Sequence, residues 1–313
     1  MGRLFDFMLP DNKSPLTADS TDGLFHFITE VSLVLLVGIT IAMIYFAFKY
    51  KRKSEDDKTP LITHNNTLEI TWSVIPLLIT LVVFGWGYSG WLNLKAVPND
   101  AYEIQATAYK WNWNFNYENG AQTLNELHVP AGRPVKVVMQ SRDVLHSFFI
   151  PDYRVKHDVV PGRYTYVWFQ AEEAGESQIF CAEYCGTSHS DMLAKVIVHE
   201  PDEFEEWLDL NGGGIQGSPV EQGEQLVNLQ GCQACHSLDG SAKIGPTFKG
   251  LWGREQQLAD GSTIIVDENY IRESILNPGS KVVEGYQNVM APYEGRIDDD
   301  EITNIIEYLK TID

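Results

Sequence analysis

Residues 181–192 read CAEYCGTSHSDM. They hold two cysteines, a carboxylate, a histidine and a methionine. Soft thiolate and thioether sulfur, together with imidazole, select copper over harder ions. A mononuclear blue-copper site needs one Cys, two His and a weak Met, so this loop offers one thiolate too many. Two thiolates, Cys181 and Cys185, can bridge two copper ions. His189 then serves one metal, and His146, 35 residues before Cys181, serves the other. Met192 binds one copper axially, and a backbone carbonyl between the cysteines binds the second. Three other readings compete at this level. A Cys181–Cys185 disulfide is awkward at such short spacing and leaves His and Met unused. Structural zinc favours closer C-x2-C pairs without Met. Metal-free buried sulfur is common for a lone Cys or Met.

The flanks of the loop alternate. SQIFC enters it and MLAKVIVHE (192–200) leaves it. Upstream, AYEIQATAYKWNWNFNY (101–117), RPVKVVMQS (133–141), HSFFIP (146–151) and RYTYVWFQA (163–171) are rich in Val, Tyr, Phe and Trp. Gly, Pro, Asn and Asp punctuate the gaps. Short strands so spaced predict an antiparallel sandwich or barrel.

Further out, toward the N-terminus, lie two long apolar runs, Phe25–Phe48 and Trp72–Leu92. About 20 apolar residues span a bilayer core. Lys49, Lys51, Arg52, Lys53 and Lys58 follow the first run, and such clusters mark the cytoplasmic side. Basic residues after the run, with no small-residue cleavage site, argue against a signal peptide. The runs predict a helical hairpin with both chain ends on the opposite side. Pro76 is expected in the first turns of the second helix, where a missing N–H costs least.

Toward the C-terminus, GGGIQGS (212–218) reads as a flexible linker. Ser218, Pro219 and Glu221 mark a helix start. Cys232-Gln-Ala-Cys235-His236 is the C-x-x-C-H signal for c-type haem, in which both thiols add to vinyl groups and the imidazole binds iron. Ile302, Ile305, Ile306 and Leu309 make one apolar face of a final helix. Charge is uneven: the first hundred residues carry 8 basic and 10 acidic side chains, the remainder 15 and 33. That excludes a nucleic-acid footprint; the acidity either favours a cationic partner or only keeps this part of the chain soluble.

The loop resembles the Cu(A) loop of cytochrome c oxidase subunit II, C-x-E-x-C-G-x-x-H-x-x-M. VLHSFFIP (144–151), DVVPGR (158–163) and LEITWSVIP (68–76) resemble further motifs of that family. The resemblance implies that His146, Cys181, Cys185, His189 and Met192 ligate Cu(A). It implies that Glu183 binds copper through its carbonyl and a magnesium ion through its side chain, at the interface with the catalytic subunit I. Trp111 corresponds to the tryptophan that receives electrons from cytochrome c, although Asn112 stands where the family has Tyr. Glu69 corresponds to a carboxylate at the mouth of a proton path.

GPTFKGLWGR (245–254) and NVMAPY (288–293) resemble class I cytochrome c motifs. They imply that the Pro246 carbonyl orients His236 and that Met290 is the second axial ligand, with Ala291 where many relatives have Pro. The whole resembles a bacterial caa-type subunit II. The implied architecture is a two-helix transmembrane hairpin (within 1–97), a cupredoxin-like β-sandwich or barrel (98–211), a linker (212–217) and an all-α class I cytochrome c domain (218–313). The implied route runs from a cytochrome c or an upstream quinol-oxidising complex to haem c, then to Cu(A), then to the catalytic subunit. There oxygen is reduced to water, coupled to proton pumping. The implied setting is the lipid of a bacterial inner membrane, with both redox domains periplasmic. Nitrous-oxide reductase, quinol-oxidase subunit II and copper carriers share parts of this pattern. None of them combines a membrane hairpin, all the copper ligands and a haem motif.

Overall fold

A computed structural model describes residues 5–58, 61 and 63–313. Residues 1–4, 59, 60 and 62, within the first expected segment, lie outside the described residues. Helices α1 (Pro15–Lys49) and α2 (Asn66–Lys95) contain the two apolar runs, and both are long and apolar enough to cross a membrane. Their apolar side chains face outward, Leu36, Ile41, Leu77 and Val82 among them, as lipid-facing or subunit-facing surfaces require. At 1.5 Å per residue α1 is about 50 Å long, well beyond a hydrocarbon core of about 30 Å. The surplus turns at its N-terminal end dock on the β domain. Thr17 Oγ1 donates to the Tyr153 carbonyl at 2.7 Å, and Arg154 Nε pairs with Asp22 at 2.7 Å. The end of α2 is tied to the same domain by Trp168 Nε1 donating to the Leu94 carbonyl at 3.0 Å.

Pro76 does not sit in the opening turns. Helix α2 starts at Asn66, inside a polar stretch, because Asn65 caps it through the Leu68 N–H. Pro76 is therefore interior, and it removes the N–H that would reach the Trp72 carbonyl.

Ten strands follow: β1 (Tyr102–Tyr109), β2 (Asn112–Asn116), β3 (Gln122–Leu124), β4 (Glu126–Pro130), β5 (Pro134–Ser141), β6 (His146–Ile150), β7 (Val155–Val159), β8 (Thr165–Gln170), β9 (Gly175–Cys181) and β10 (Leu193–His199). They form two five-stranded sheets, ordered β3-β2-β1-β5-β8 and β4-β10-β9-β6-β7. Alternation turns Ala194, Val196 and Val198 of β10 inward and Lys195 outward. Ile104, Trp113, Phe115, Val137, Phe148, Ile179 and Val196 fill the space between the sheets. The pairing is mostly antiparallel, but β1–β5 and β4–β10 are parallel. The stretch 101–117 is not one strand: it turns at Lys110–Trp111 into the β1–β2 hairpin.

Helix α3 (Pro201–Asn211) closes this domain by burying Phe204 and Leu208. The glycine-rich stretch after it is pinned, not free. Gly213 N–H donates to the Asn119 carbonyl at 3.0 Å, and Asn119 Nδ2 donates to the Leu208 carbonyl at 2.6 Å.

The last domain has helices α4 (Pro219–Leu229), α5 (Cys232–Cys235), α6 (Glu268–Leu276) and α7 (Asp299–Leu309). It also carries a small hairpin, β11 (Glu255–Gln257) with β12 (Thr263–Ile265). Both α4 and α7 begin with a capping box, at Ser218/Glu221 and Asp298/Glu301. They cross at Gly223, where a Cβ would lie 2.0 Å from the Asn304 carbonyl oxygen. Only glycine permits that approach.

Candidate functional site

Sheet register assembles the cysteine loop. Strand β9 ends at Cys181 and β10 begins at Leu193, paired with Phe180, so residues 182–192 form the connection of a β-hairpin. Strand β6 pairs beside β9, with Phe148 opposite Cys181, and Ala182 N–H donates to the Ser147 carbonyl. That places His146 against the loop from a different part of the sequence. His146 Nδ1 lies 3.9 Å from Cys181 Sγ, and Cys181 Sγ lies 3.8 Å from Cys185 Sγ. Cys185 Sγ is 3.5 Å from His189 Nδ1 and 3.7 Å from Met192 Sδ. The Glu183 carbonyl oxygen is 3.2 Å from Cys181 Sγ. Six donor atoms thus converge, with the two sulfurs at the centre and one imidazole beside each. This donor set is soft and suits copper shared between two thiolates.

Electrostatics prepare the thiols unequally. Burial pushes Cys181 up, but hydrogen bonds from His146, the Ser147 backbone and the Glu183 backbone outweigh it, and its pKa falls. Burial and the neighbouring Cys181 both push Cys185 up. Cys181 is thus biased toward the thiolate and Cys185 toward the thiol, and it is as thiolates that the two would hold a metal.

The outer nitrogen of His146 is held by a residue that the sequence reading missed. His146 Nε2 lies 2.8 Å from Asp143 Oδ1. Burial raises the Asp143 carboxyl, but hydrogen bonds from His146, Lys110 and Val144 prevail and hold it below the usual range. The spacing Asp-x-x-His was the only signal, and it is too common to single out.

A second cavity, of about 500 Å³, opens between α5, α6, α7 and the loops of the last domain. Cys232, Cys235, His236, Pro246 and Met290 all line it. His236 Nδ1 donates to the Pro246 carbonyl at 2.6 Å, which leaves Nε2 with a lone pair able to bind a metal. Phe248 stacks on the imidazole at 4.5 Å. A Cβ at Gly245 would lie 2.7 Å from His236 Cε1, so glycine lets the loop press on the ring. Burial lowers the His236 pKa and keeps the ring neutral. Burial pushes Cys232 up to about 12, so it remains a thiol. Arg254 also lines the cavity, and its Nε is buried without a partner. An apolar hollow with neutral imidazole, thioether, two thiols and one unpaired cationic donor fits a haem bearing carboxylates.

Trp111 belongs to both places. It lines the haem cavity, and its indole packs on Gly186 inside the cysteine loop, where a Cβ would meet the ring at 3.4 Å. The two domains are joined around it. Tyr109 Oη donates to the Leu229 carbonyl at 3.1 Å, and Arg296 Nη2 to the Arg142 carbonyl at 3.1 Å. A Cβ at Gly231 would lie 2.7 Å from Asn112 Nδ2. Asn112, where a bulkier Tyr was the family expectation, leaves room for this seam.

The two remaining candidates are less engaged. The Glu183 side chain is half-buried beside the loop. Glu69 lies in the first turn of α2, where its carboxylate accepts the Asn65 N–H at 3.1 Å as part of the helix cap.

A membrane hairpin carrying a cupredoxin-like domain and a c-type cytochrome domain defines a class of anchored redox subunits. Comparison with known families agrees segment by segment. Residues 3–86 match the transmembrane domain of cytochrome c oxidase subunit II, residues 120–199 its periplasmic domain, and residues 220–313 cytochrome c. The chain is 32% identical to cytochrome c oxidase subunit 2 of Alkalihalophilus pseudofirmus, over 96% of this chain and 90% of that one. It is 29% identical to the alternative cytochrome c oxidase subunit 2 of Bradyrhizobium diazoefficiens, over 56% and 74%. The crystal structure of the periplasmic domain of subunit II of cytochrome oxidase of Bradyrhizobium japonicum matches 37% of the chain at 31% identity, with a TM-score of 0.36. The chain belongs to the cytochrome c oxidase subunit II family, in the form with a fused C-terminal cytochrome c domain. It is a subunit of an oxidoreductase complex and partners other oxidase subunits.

Proposed function

We propose that this chain relays electrons from a covalently held haem c to a dinuclear copper centre, and from there to the catalytic subunit. Haem iron and paired copper each supply reversible one-electron chemistry when bound. Cys232 and Cys235 anchor the haem, His236 and Met290 ligate its iron, and Pro246 fixes the His236 tautomer. His146, Cys181, Glu183 (through its carbonyl), Cys185, His189 and Met192 hold copper. The observation that carries this reading is the shared wall: Trp111 lines the haem cavity and rests on the copper loop. Because the cytochrome domain covers Trp111, this residue serves the chain's own haem, and an external donor delivers to the haem instead. The acidity of the exposed domains suits a cationic donor such as a soluble cytochrome c, or a docked quinol-oxidising complex.

The domain limits we adopt are 1–97, 98–211, 212–217 and 218–313. The basic cluster after α1 supports a cytoplasmic loop, hence periplasmic redox domains on a bacterial inner membrane, with lipid around the hairpin. The Glu183 carboxylate is assigned to magnesium at the subunit interface, and Glu69 to the mouth of a proton path that supports pumping during oxygen reduction. Metal analysis with electron paramagnetic resonance tests the relay. Two coppers per haem and one electron shared between them are expected; one copper per haem would overturn the dinuclear site. Met290→Ala should shift the haem spectrum, and an unchanged spectrum would remove Met290 as a ligand.

A further inference from the structure

Asp143 faces both redox sites. Its Oδ1 accepts from His146 Nε2 at 2.8 Å and from Val144 N–H at 2.7 Å. Its Oδ2 accepts the Lys110 N–H at 2.8 Å, in the turn that presents Trp111. The same residue lines the haem cavity. Ser141 Oγ steadies the turn by accepting the Asp143 N–H at 3.2 Å and donating to the Val144 carbonyl at 2.5 Å.

We infer that Asp143 is a positioning residue that couples the copper ligand His146 to the relay residue Trp111, so that a single carboxylate sets both the copper site and its contact with the haem domain. This rests on the relay reading above. Two physical arguments carry it. First, accepting from Nε2 fixes the His146 tautomer with Nδ1 free, on the side of Cys181, and a carboxylate partner makes that imidazole a stronger donor. Second, both carboxylate oxygens are used, and only a carboxylate can accept on both sides. An amide at this position keeps one acceptor. It would turn its oxygen toward His146 and Val144, which bring two donors, and so set its NH2 against the Lys110 N–H. The arm toward Trp111 would then break, and the negative charge beside His146 would be gone.

The test uses the purified oxidase with Asp143→Asn, Asp143→Ala and Ser141→Ala. Copper retention is followed against a chelator, the copper potential by redox titration, and haem-to-copper electron transfer after photoreduction. Removing a group that holds a metal-binding His costs roughly 10–100-fold in metal affinity. Asp143→Ala should lose copper faster by that order. Asp143→Asn should raise the copper potential and slow transfer from the haem, with the haem spectrum unchanged. Ser141→Ala should shift both quantities in the same direction by less, and it keeps the carboxylate if the Asp143 variants fold poorly. Wild-type retention, potential and transfer rate in a folded Asp143→Asn would overturn the proposal. So would a changed potential with an unchanged transfer rate, since the arm to Trp111 would then be idle. Failure of the relay reading is separately visible, because the wild-type protein itself would show no haem-to-copper transfer.

Discussion

The copper loop and the haem cavity lie on either side of Trp111, and the chain makes them by different means. The loop is the connection of one hairpin, and β6 adds His146 by strand pairing. Its donors sit 3.2 to 3.9 Å from their neighbours because sheet register places His146 beside Cys181 and the short connection between paired strands holds the others close. The haem cavity is a hollow of about 500 Å³ bounded mainly by three helices and several loops, with the β1–β2 turn of the β domain closing one side. A site for small ions can be finished by the fold. A site for a large group leaves much of a small domain's core to that group.

The largest effect expected from this contrast comes from Cys232→Ala with Cys235→Ala. Leaving the hollow about 500 Å³ empty costs at most about 12 kcal/mol at about 24 cal/mol per Å³. That is comparable with the whole stability of a domain. Calorimetry of the variant should lose the cytochrome transition and keep that of the β domain; two surviving transitions would show that the helical domain stands without haem. Gly223→Ala comes next. Its Cβ would collide with the Asn304 carbonyl, and overpacking costs about 1–3 kcal/mol. The cytochrome transition should move down and the copper spectrum stay fixed.

Met192→Leu sharpens the comparison from the other side. Met192 is fully buried, yet a volume-conserving change costs less than about 1.5 kcal/mol. The β domain should keep its melting temperature while the copper absorption shifts; a large stability loss would mean that the thioether matters mainly as packing.

The smallest effect concerns His128 and His199, paired at 2.8 Å under Trp207 of α3. Burial, and then His199, push His128 down to about 4, and burial lowers His199 as well. Glu126 and Glu203 are the charges nearby. The unfolded chain takes up the His128 proton near pH 6.5, but the folded chain resists until about 4. The stabilisation is therefore complete above pH 6.5 and declines as pH falls through about 4. Melting temperature against pH should show that slope for the β domain, and His128→Gln should flatten it.

Motifs whose parts lie within a few residues could be read directly. The candidate ligands from Cys181 to Met192 and the Cys232–His236 run point to their chemistry by residue type and spacing. The apolar runs declare their helices by length. Features that depend on distant segments could not be read. Asp143 gains its role only when β6 and the β1–β2 turn meet. The 101–117 stretch looks continuous because a tight turn at Lys110–Trp111 has no Gly or Pro to mark it. Pro76 was misplaced because the helix begins in polar residues that hydropathy does not flag. The glycine-rich linker is held by Asn119, which lies 94 positions before Gly213 in the chain.

By itself, the sequence determined the candidate donor sets, the membrane hairpin and the order of the domains, since these follow from local composition and short spacing. Tertiary structure alone decided that the two sites share a wall at Trp111, that α1 docks on the β domain, and that Asp143 reaches both His146 and Lys110. Those facts depend on strand register and domain contact, where one residue of slip would turn every side chain to the other face.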